Sequence, residues 1–460
     1  MNFDARIPSG AVKILHKLKE AGYEAYIVGG CVRDCLLGKQ PSDWDITTSA
    51  KPQEVKDIFR RTVDTGLQHG TVSVLMREEG KLCAYEVTTY RIDGAYEDGR
   101  HPKQVTFTPD LSEDLRRRDF TINAMAYNPE DGLVDLHGGR EDLEKRLIRC
   151  VGDPKERFGE DALRMMRAIR FAAQLDATID PAAWEAICAM KDNIVHVSAE
   201  RIRVELEKLL VSPRPALFAL FVDCGLAEHF LPEFLPCMGC TQENPHHQYN
   251  VGEHILHSLE TIDTARLREE LGEEAYPRAL KTLRLTMLFH DIGKPGQKTV
   301  DEAGIAHFKG HPEKSAQIAE CVLRRLKYDN DTIRDVVHLV ATHEERFPAK
   351  ERSLRRAMSS IGAEYFPLYF YVQQADALAQ SLYQREEKLA RLEELRELRK
   401  IILKKQCPLS VRDLAVNGAD LKAAGVTPGP GMGELLKRML EDVLEEPSHN
   451  TKEYLLRKYC

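Results

Sequence analysis

Up to about residue 140 the hydrophobic positions come in short blocks. EAYIVGG (24–30), GTVSVLM (70–76) and AYEVTTY (84–90) hold β-branched and aromatic residues in runs too short for a helix, bounded by glycine and polar residues, and predict strands. CVRDCLLG (31–38) reads as a helix after the first of them, so this stretch predicts an α/β unit. From about Glu141 the spacing changes. EDALRMMRAIRFAAQL (160–175) and SAERIRVELEKLLV (198–211) place apolar residues three and four apart, the stripe of a helix that buries one face. The rest of the chain is expected to be essentially all helical. Breaks rich in Pro and Gly, LPEFLPCMGCTQENP, KKQCP and GVTPGPG, predict boundaries near 240, 407 and 427. The segment 385–405, dense in Arg, Lys, Glu and Leu, reads as a solvated connector helix. No internal repeat is visible.

A chain of 460 residues corresponds to about three domains. With 43% hydrophobic and 30% charged residues, disordered and collagen-like classes are excluded. The net charge of −8 leaves the partner class open, because binding follows local potential. The apolar stretch from Ala216 ends at Asp223 and the opening MNFDARIPSG lacks a basic start and apolar core, so neither a membrane span nor a signal peptide is expected. Eleven Cys between Cys31 and Cys460, without framework spacing, fit reduced thiols in a cytoplasmic protein. Cys237 and Cys240, with His246 and His247 nearby, form a C-x-x-C lacking a second pair, which does not favour a zinc site.

The window 29–46, GGCVRDCLLGKQPSDWDI, concentrates phosphate chemistry. Gly29 and Gly30 follow a strand and open a helix, so their amides can approach a triphosphate. Arg33 can neutralise phosphate oxygens. Asp43 and Asp45, two apart, would project from one face of a strand and share one or two Mg²⁺ ions. This window resembles the DNA polymerase beta-like nucleotidyltransferases, in the class that holds bacterial CCA-adding tRNA nucleotidyltransferases and poly(A) polymerases. TGLQHGTVSV (65–74), YEVTTYR (85–91), DGRHPKQVTF (98–107), RRDFTINAMAY (117–127) and DPKERFGEDALRMMRAIRFA (153–172) look like the family's later motifs, in its order.

The resemblance implies two-metal nucleotidyl transfer to an RNA 3′-hydroxyl, with Asp43 and Asp45 as catalytic Mg²⁺ ligands and Glu86 as the candidate third carboxylate. It implies that Arg118, Asp119 and Asn123 contact the ribose, and that Arg167 and Arg170 belong to the nucleotide site unless nearby acids claim them. Asp161 and Arg164, three apart on a helix, would accept from a base's exocyclic amine and donate to its ring nitrogen. That pair admits CTP and ATP and rejects UTP and GTP. The loop YRIDGAYEDGRHP, with Arg91 and Arg100, distinguishes full CCA adders from CC-only relatives, and residues 414–450 resemble the tRNA-contacting tail of CCA-adding enzymes. RNA is expected along Arg116, Arg117, Arg146, Arg149, Arg201 and Arg203.

A second constellation, His254, His290–Asp291 in LFHDIGKP, His311, His343 and Asp376, resembles HD-superfamily phosphohydrolases. The resemblance implies four core ligands, His254, His290, Asp291 and Asp376, for a divalent transition metal that activates water, with His311 and His343 for a second ion. An active phosphoesterase and a vestigial scaffold both stay open.

The expected architecture is an α/β nucleotidyltransferase head (1–140) followed by a predominantly α-helical multidomain body: a neck (141–240), an HD domain (241–385) and a tRNA-contacting region (386–460). The expected partners are tRNA, CTP and ATP, with no membrane and no obligate protein partner. A-only addition, and an HD hydrolase or RNA-binding protein with a degenerate head, are the alternatives. Two like charges kept side by side at Asp43 and Asp45 argue against an idle head.

Overall fold

The computed structural model describes residues 6–67, 70–93 and 105–460. It divides into two compact units, Met1–Pro232 and Glu233–Cys460.

The first unit is built on seven strands. They are β1 (Ala25–Val28), β2 (Asp45–Thr48), β3 (Thr62–Gly66), β4 (Thr71–Glu78), β5 (Lys81–Thr89), and, after a two-stranded ribbon of β6 (Arg91–Asp93) and β7 (Val105–Phe107), β8 (Met125–Asn128) and β9 (Gly132–Asp135). The sheet order is β3-β4-β5-β2-β1-β8-β9. Within this sheet β2 and β5 are the parallel pair, with Asp45 opposite Glu86. β4 and β5 form a hairpin of eight consecutive pairs, Thr71 with Thr88 through Glu78 with Lys81. Its two turn residues, Glu79 (φ 47°) and Gly80 (φ 85°), both take the positive φ that matches the twist of the strands. Period-two burial along β5 puts Tyr85 and Val87 inside and leaves Glu86 exposed.

Helices α1 (Ser9–Glu20), α2 (Gly30–Leu36), α3 (Pro52–Ile58), α4 (Leu111–Arg116) and α5 (Gly139–Glu144) accompany the sheet. Val32 of α2 and Ile14, Leu15 and Leu18 of α1 are buried. The helical part of the unit comprises α6 (Pro154–Glu160), α7 (Leu163–Leu175), α8 (Pro181–Met190), α9 (Ala199–Leu210), α10 (Ala219–Asp223) and α11 (Ala227–Phe230). Met165, Met166, Ile169 and Ala173 of α7 are fully buried, as the spacing predicts. Two short pairings interrupt the expected all-helical body: Leu147–Ile148 beside Thr178–Ile179, and Thr299–Val300 beside Ala306–His307.

The second unit is helical: α12 (Leu235–Met238), α13 (Val251–Glu260), α14 (Thr264–Phe289), α15 (His311–Arg325), α16 (Asn330–Thr342), α17 (Glu351–Ile361), α18 (Phe366–Ala379), α19 (Arg385–Lys404), α20 (Gly418–Ala423), α21 (Pro430–Glu445) and α22 (Lys452–Tyr459). α14 is broken at Gly272, whose φ of 75° is non-helical. α19 is not solely a solvated connector, because Leu392, Leu395 and Ile402 pack into a core with α17 and α18. A separate small core joins Leu421, Met439, Val443 and Leu455 near the end of the chain. Among the described residues no helix is long and apolar enough to cross a membrane.

Candidate functional site

A cavity at one end of the head sheet gathers Ser42, Asp43, Asp45, Ser73 and Glu86 among its lining. Asp45 opens β2 and Asp43 lies two residues before it; Asp43 and Asp45 are exposed while Trp44 and Ile46 are buried, so the period of two continues through the residues that enter the strand and both carboxylates lie on one side. Both line the same cavity, and the parallel register sets Glu86 beside Asp45. Desolvation pushes the Asp45 carboxyl above its ordinary range; Glu86 and Asp43 push it further and Arg118 draws it back. Three carboxylates competing for too little positive charge is the condition a divalent cation relieves, so the residues fit one.

Gly29 and Gly30 lie as expected between β1 and α2. Gly29 has φ 82°, and a Cβ there would stand 3.2 Å from Nη1 of Arg118, so the glycine serves both backbone and guanidinium. Arg33 reaches across to Asn123, Nη1 donating to Oδ1 at 2.6 Å. Asn123 Nδ2 donates to Asp119 Oδ1 at 3.2 Å, and Arg167 Nε to Asp119 Oδ2 at 2.8 Å. Burial opposes the charge of Asp119, but Arg167 and Arg164 hold its carboxyl well below the usual range. Arg118 is not paired with its neighbour Asp119: its Nη2 donates to Asp114, which also takes Arg117 and the hydroxyl of Thr47. Asp114 is completely buried, and sequence reasoning missed it. Its spacing in SEDLRRR, three and four before two arginines, is the signal that finds it.

The expected helix face bearing Asp161 and Arg164 is not formed. Asp161 lies in the break between α6 and α7 with extended backbone (φ −147°). It accepts from the Leu163 amide at 3.1 Å, the way a capping residue meets an open helix end. Arg201 donates to both its oxygens, at 3.2 and 2.6 Å. Arg164 pairs with Glu160 and donates to the carbonyls of Arg157 (3.2 Å) and Arg117 (3.1 Å). Arg170 is corrected too. Its side chain is buried against Glu205 at 2.8 Å and stacked 3.5 Å from the Phe171 ring centroid, so acids claim it rather than the nucleotide site. The expected RNA track is likewise engaged by acids: Arg117 by Asp114, Arg146 by Asp176, Arg149 by Asp142, Arg201 by Asp161 and Arg203 by Glu207. Arg91 opens β6, and Arg100 lies outside the described residues.

In the second unit the six His and Asp residues come together, all buried. Each ring turns its Nδ1 to a backbone carbonyl: His290 to Met287 (2.7 Å), His311 to Phe308 (2.9 Å), His343 to Val340 (2.7 Å) and His254 to Ala379 (3.4 Å). That contact fixes the tautomer and leaves every Nε2 lone pair facing inward. His254 Nε2 stands 3.1 Å from His290 Nε2 and 3.1 Å from Asp376 Oδ1. His311 Nε2 and His343 Nε2 stand 3.0 and 3.5 Å from Asp291 Oδ1. Asp291 thus belongs to two donor groups, His254–His290–Asp291 and Asp291–His311–His343. Lys294 Nζ, 2.6 Å from Asp291 Oδ2, is a member that sequence reasoning left unassigned. Burial pushes the His290 imidazole down to about 3, keeping it neutral and a donor to metal. Four inward imidazole nitrogens with two carboxylates fit divalent transition metals. Cys237 and Cys240 join no such group among the described residues; Cys237 Sγ points at the Ile292 carbonyl.

Residues 25–149 match the family model of the poly A polymerase head domain, 176–238 the "Probable RNA and SrmB- binding site of polymerase A", and 301–458 a tRNA nucleotidyltransferase domain 2. The chain is 52% identical to a CCA-adding enzyme of Limosilactobacillus reuteri over 217 residues, 47% of this chain and 53% of the relative, so it spans about half the length of that relative. A CCA-adding enzyme of Streptococcus suis is 36% identical over 97% of this chain and 94% of its own. The crystal structure of the Bacillus stearothermophilus CCA-adding enzyme in complex with CTP aligns with TM-score 0.71 and 31% identity over 97% of this chain and 96% of that one. Since sequence likeness and fold likeness both extend over nearly the whole chain, and the head model spans Asp43, Asp45 and Glu86, this chain belongs to the CCA-adding enzyme family.

Proposed function

We propose that this chain adds CCA to the 3′ end of tRNA from CTP and ATP without a nucleic-acid template. The observation that carries the reading is the cavity where Asp43, Asp45 and Glu86 converge in a head of the CCA-adding family. The family implies divalent metal, and Mg²⁺ suits an all-oxygen donor set. Asp43, Asp45 and Glu86 would hold it. Bound there, it would supply charge neutralisation for the triphosphate and activation of the attacking hydroxyl. The chain's own residues do the rest. Arg33, fixed through Asn123, and Arg118, fixed through Asp114, present guanidinium charge near Gly29, where phosphate would lie. Asp119 holds Asn123 and Arg167 in one network for the ribose.

Asp161 and Arg164 would read the base. A carboxylate has about four acceptor positions. Arg201 and the Leu163 amide use three of them on Asp161. The guanidinium has about five N–H groups. Three are used on Arg164. What is left, one acceptor and two donors, matches an exocyclic amine beside a bare ring nitrogen, the edge that cytosine and adenine share. A-only addition is the alternative. The test is to incubate the protein with tRNAs ending before, within and after CC, supply each nucleotide singly and together, and sequence the ends. Addition of C, C and A in register supports the reading; addition of A alone to every end refutes it. Asp45→Asn should lower incorporation by several orders of magnitude.

The inward imidazoles favour a second reading for the other unit, a metal-dependent phosphoesterase of the HD type. Four of its ligands come from α13, α15 and α18 and from the Asp291 that follows α14, a rigid frame for such chemistry. In such hydrolysis a water oxygen bonds to phosphorus as the bond to the leaving oxygen breaks. One water proton ends on the leaving alcohol and the other on the phosphate.

A further inference from the structure

Four adjacent strands of the head sheet carry polar side chains at one level. Asp45 on β2 stands opposite Glu86 on β5, Glu86 stands opposite Ser73 on β4, and Ser73 Oγ lies 3.0 Å from Thr65 Oγ1 on β3. Cross-strand partners share a face, so the row runs from the carboxylates of the candidate metal site toward the β3 edge. Asp45, Glu86 and Ser73 line one cavity of about 620 Å³. The groups that suit a triphosphate lie on the other side of Asp45: Gly29 follows β1, the next strand beyond β2, and Arg118 stands beside it. Other polar groups of the cavity are already engaged. Ser42 donates to Asp43 at 3.0 Å, and Glu78 accepts from the Ser9 hydroxyl (3.1 Å), the Gly10 amide and the Tyr85 hydroxyl (2.9 Å), which ties it to the start of α1. The Ser73 and Thr65 hydroxyls differ. Each is a donor with two lone pairs, so the single bond between them leaves an O–H and several lone pairs unused among the described residues.

In nucleotidyl transfer the attacking and leaving oxygens lie roughly in line through the phosphorus. With the triphosphate on the β1 side, the attacking 3′-hydroxyl enters from the β5–β4 side, and its sugar lies over Ser73 and Thr65. Next to the 3′-hydroxyl of an RNA end stands the 2′-hydroxyl, itself donor and acceptor, the group by which a protein tells RNA from DNA. We propose that Ser73 and Thr65 form a subsite for the 3′-terminal ribose of the acceptor strand and read its 2′-hydroxyl, so that the head extends ribose ends in preference to deoxyribose ends. The proposal rests on the nucleotidyl-transfer reading above and adds the choice of acceptor, whereas Asp161 and Arg164 concern the incoming base.

The test uses the full chain with Mg²⁺, CTP and a tRNA ending before CC, made with either ribose or 2′-deoxyribose in its last nucleotide. Wild type should use the deoxyribose end about tenfold less well in kcat/KM for tRNA, the effect of one lost hydrogen bond whose protein partner is left unpaired. Ser73→Ala and Thr65→Val should each bring the two ends to within about threefold of one another, with KM for CTP unchanged. A merely structural role for the pair would lower both ends together and keep their ratio. Thr65 is exposed, so Thr65→Val carries the test even if Ser73→Ala, at a buried position, unfolds early. Wild-type protein that extends neither end overturns the nucleotidyl-transfer reading, and this proposal with it. Wild-type protein that extends both ends equally overturns the proposal alone, as does a deoxyribose penalty that both variants retain in full.

Discussion

Replacing Asp161 by alanine tests whether nucleotide choice is made by protein hydrogen bonds. The side chains of Asp161 and Arg164 are 17% and 12% exposed, so a base edge meeting them is largely dry. In such a site a mismatched base is rejected because it leaves polar groups unpaired, at about 1–3 kcal/mol per group. Asp161→Ala removes one group of the two. At about 1.4 kcal/mol per tenfold, the CTP advantage over UTP should shrink by about 5- to 150-fold, with kcat/KM for CTP and ATP falling as well. The substitution also frees Arg201 from its two bonds, so Arg201→Met is the control: it removes the ion pair but keeps the acceptor on Asp161. Its CTP-to-UTP ratio should move far less. Steady-state kcat/KM for all four nucleotides on one tRNA ending before CC provides the readout. If neither Asp161→Ala nor Arg164→Ala changes the CTP-to-UTP ratio, the two residues are structural ion-pair members and the template reasoning is wrong.

Removing Asp114, the buried carboxylate shared by Arg117, Arg118 and Thr47, should cost about 3–5 kcal/mol in urea unfolding, because two guanidinium groups lose their partner. Burial pushes Asp114 and Asp119 up, but the facing arginines hold both below the ordinary range. Their folded values lie below the unfolded one, so this stability is present above about pH 4 and is lost as pH falls through the ordinary range toward the folded values. Urea curves from pH 6 down to pH 3 should show it, and the loss should be smaller in Asp114→Ala. Mn²⁺ at about 100 times its dissociation constant should raise stability by about 2.7 kcal/mol in thermal melts, and the His290→Ala, Asp291→Ala double variant should lose that gain.

The strands that carry β-branched blocks were legible because both periodicity and composition point the same way. β3, TVDTG, was not: it is an edge strand whose residues stay largely exposed, so no burial pattern marks it. The placing of Asp43 and Asp45 at one cavity was legible because a two-residue spacing keeps both on one side whether the first lies in the strand or in the extended residues that enter it. At Asp161 the apolar spacing runs unbroken across the gap between α6 and α7; Gly159, two residues before it, and the aspartate's acceptance of the Leu163 amide are the local signals of the break. The order of His and Asp residues disclosed the second constellation, but not that Asp291 serves both donor groups, which follows from tertiary packing.

The β4–β5 hairpin has a consequence for how this head can change by insertion and deletion. Residues added at Glu79 and Gly80 lengthen an exposed turn and leave all eight pairs in place, so a peptide tag could be inserted there without disturbing Glu86. A single residue added between Lys81 and Tyr85 is different. Either the hairpin keeps its pairing from the turn, and Glu86 turns to the opposite face away from Asp45, or the strand bulges to spare it. Length variation among relatives should therefore gather at the tip of this hairpin and be absent from the five residues before Glu86.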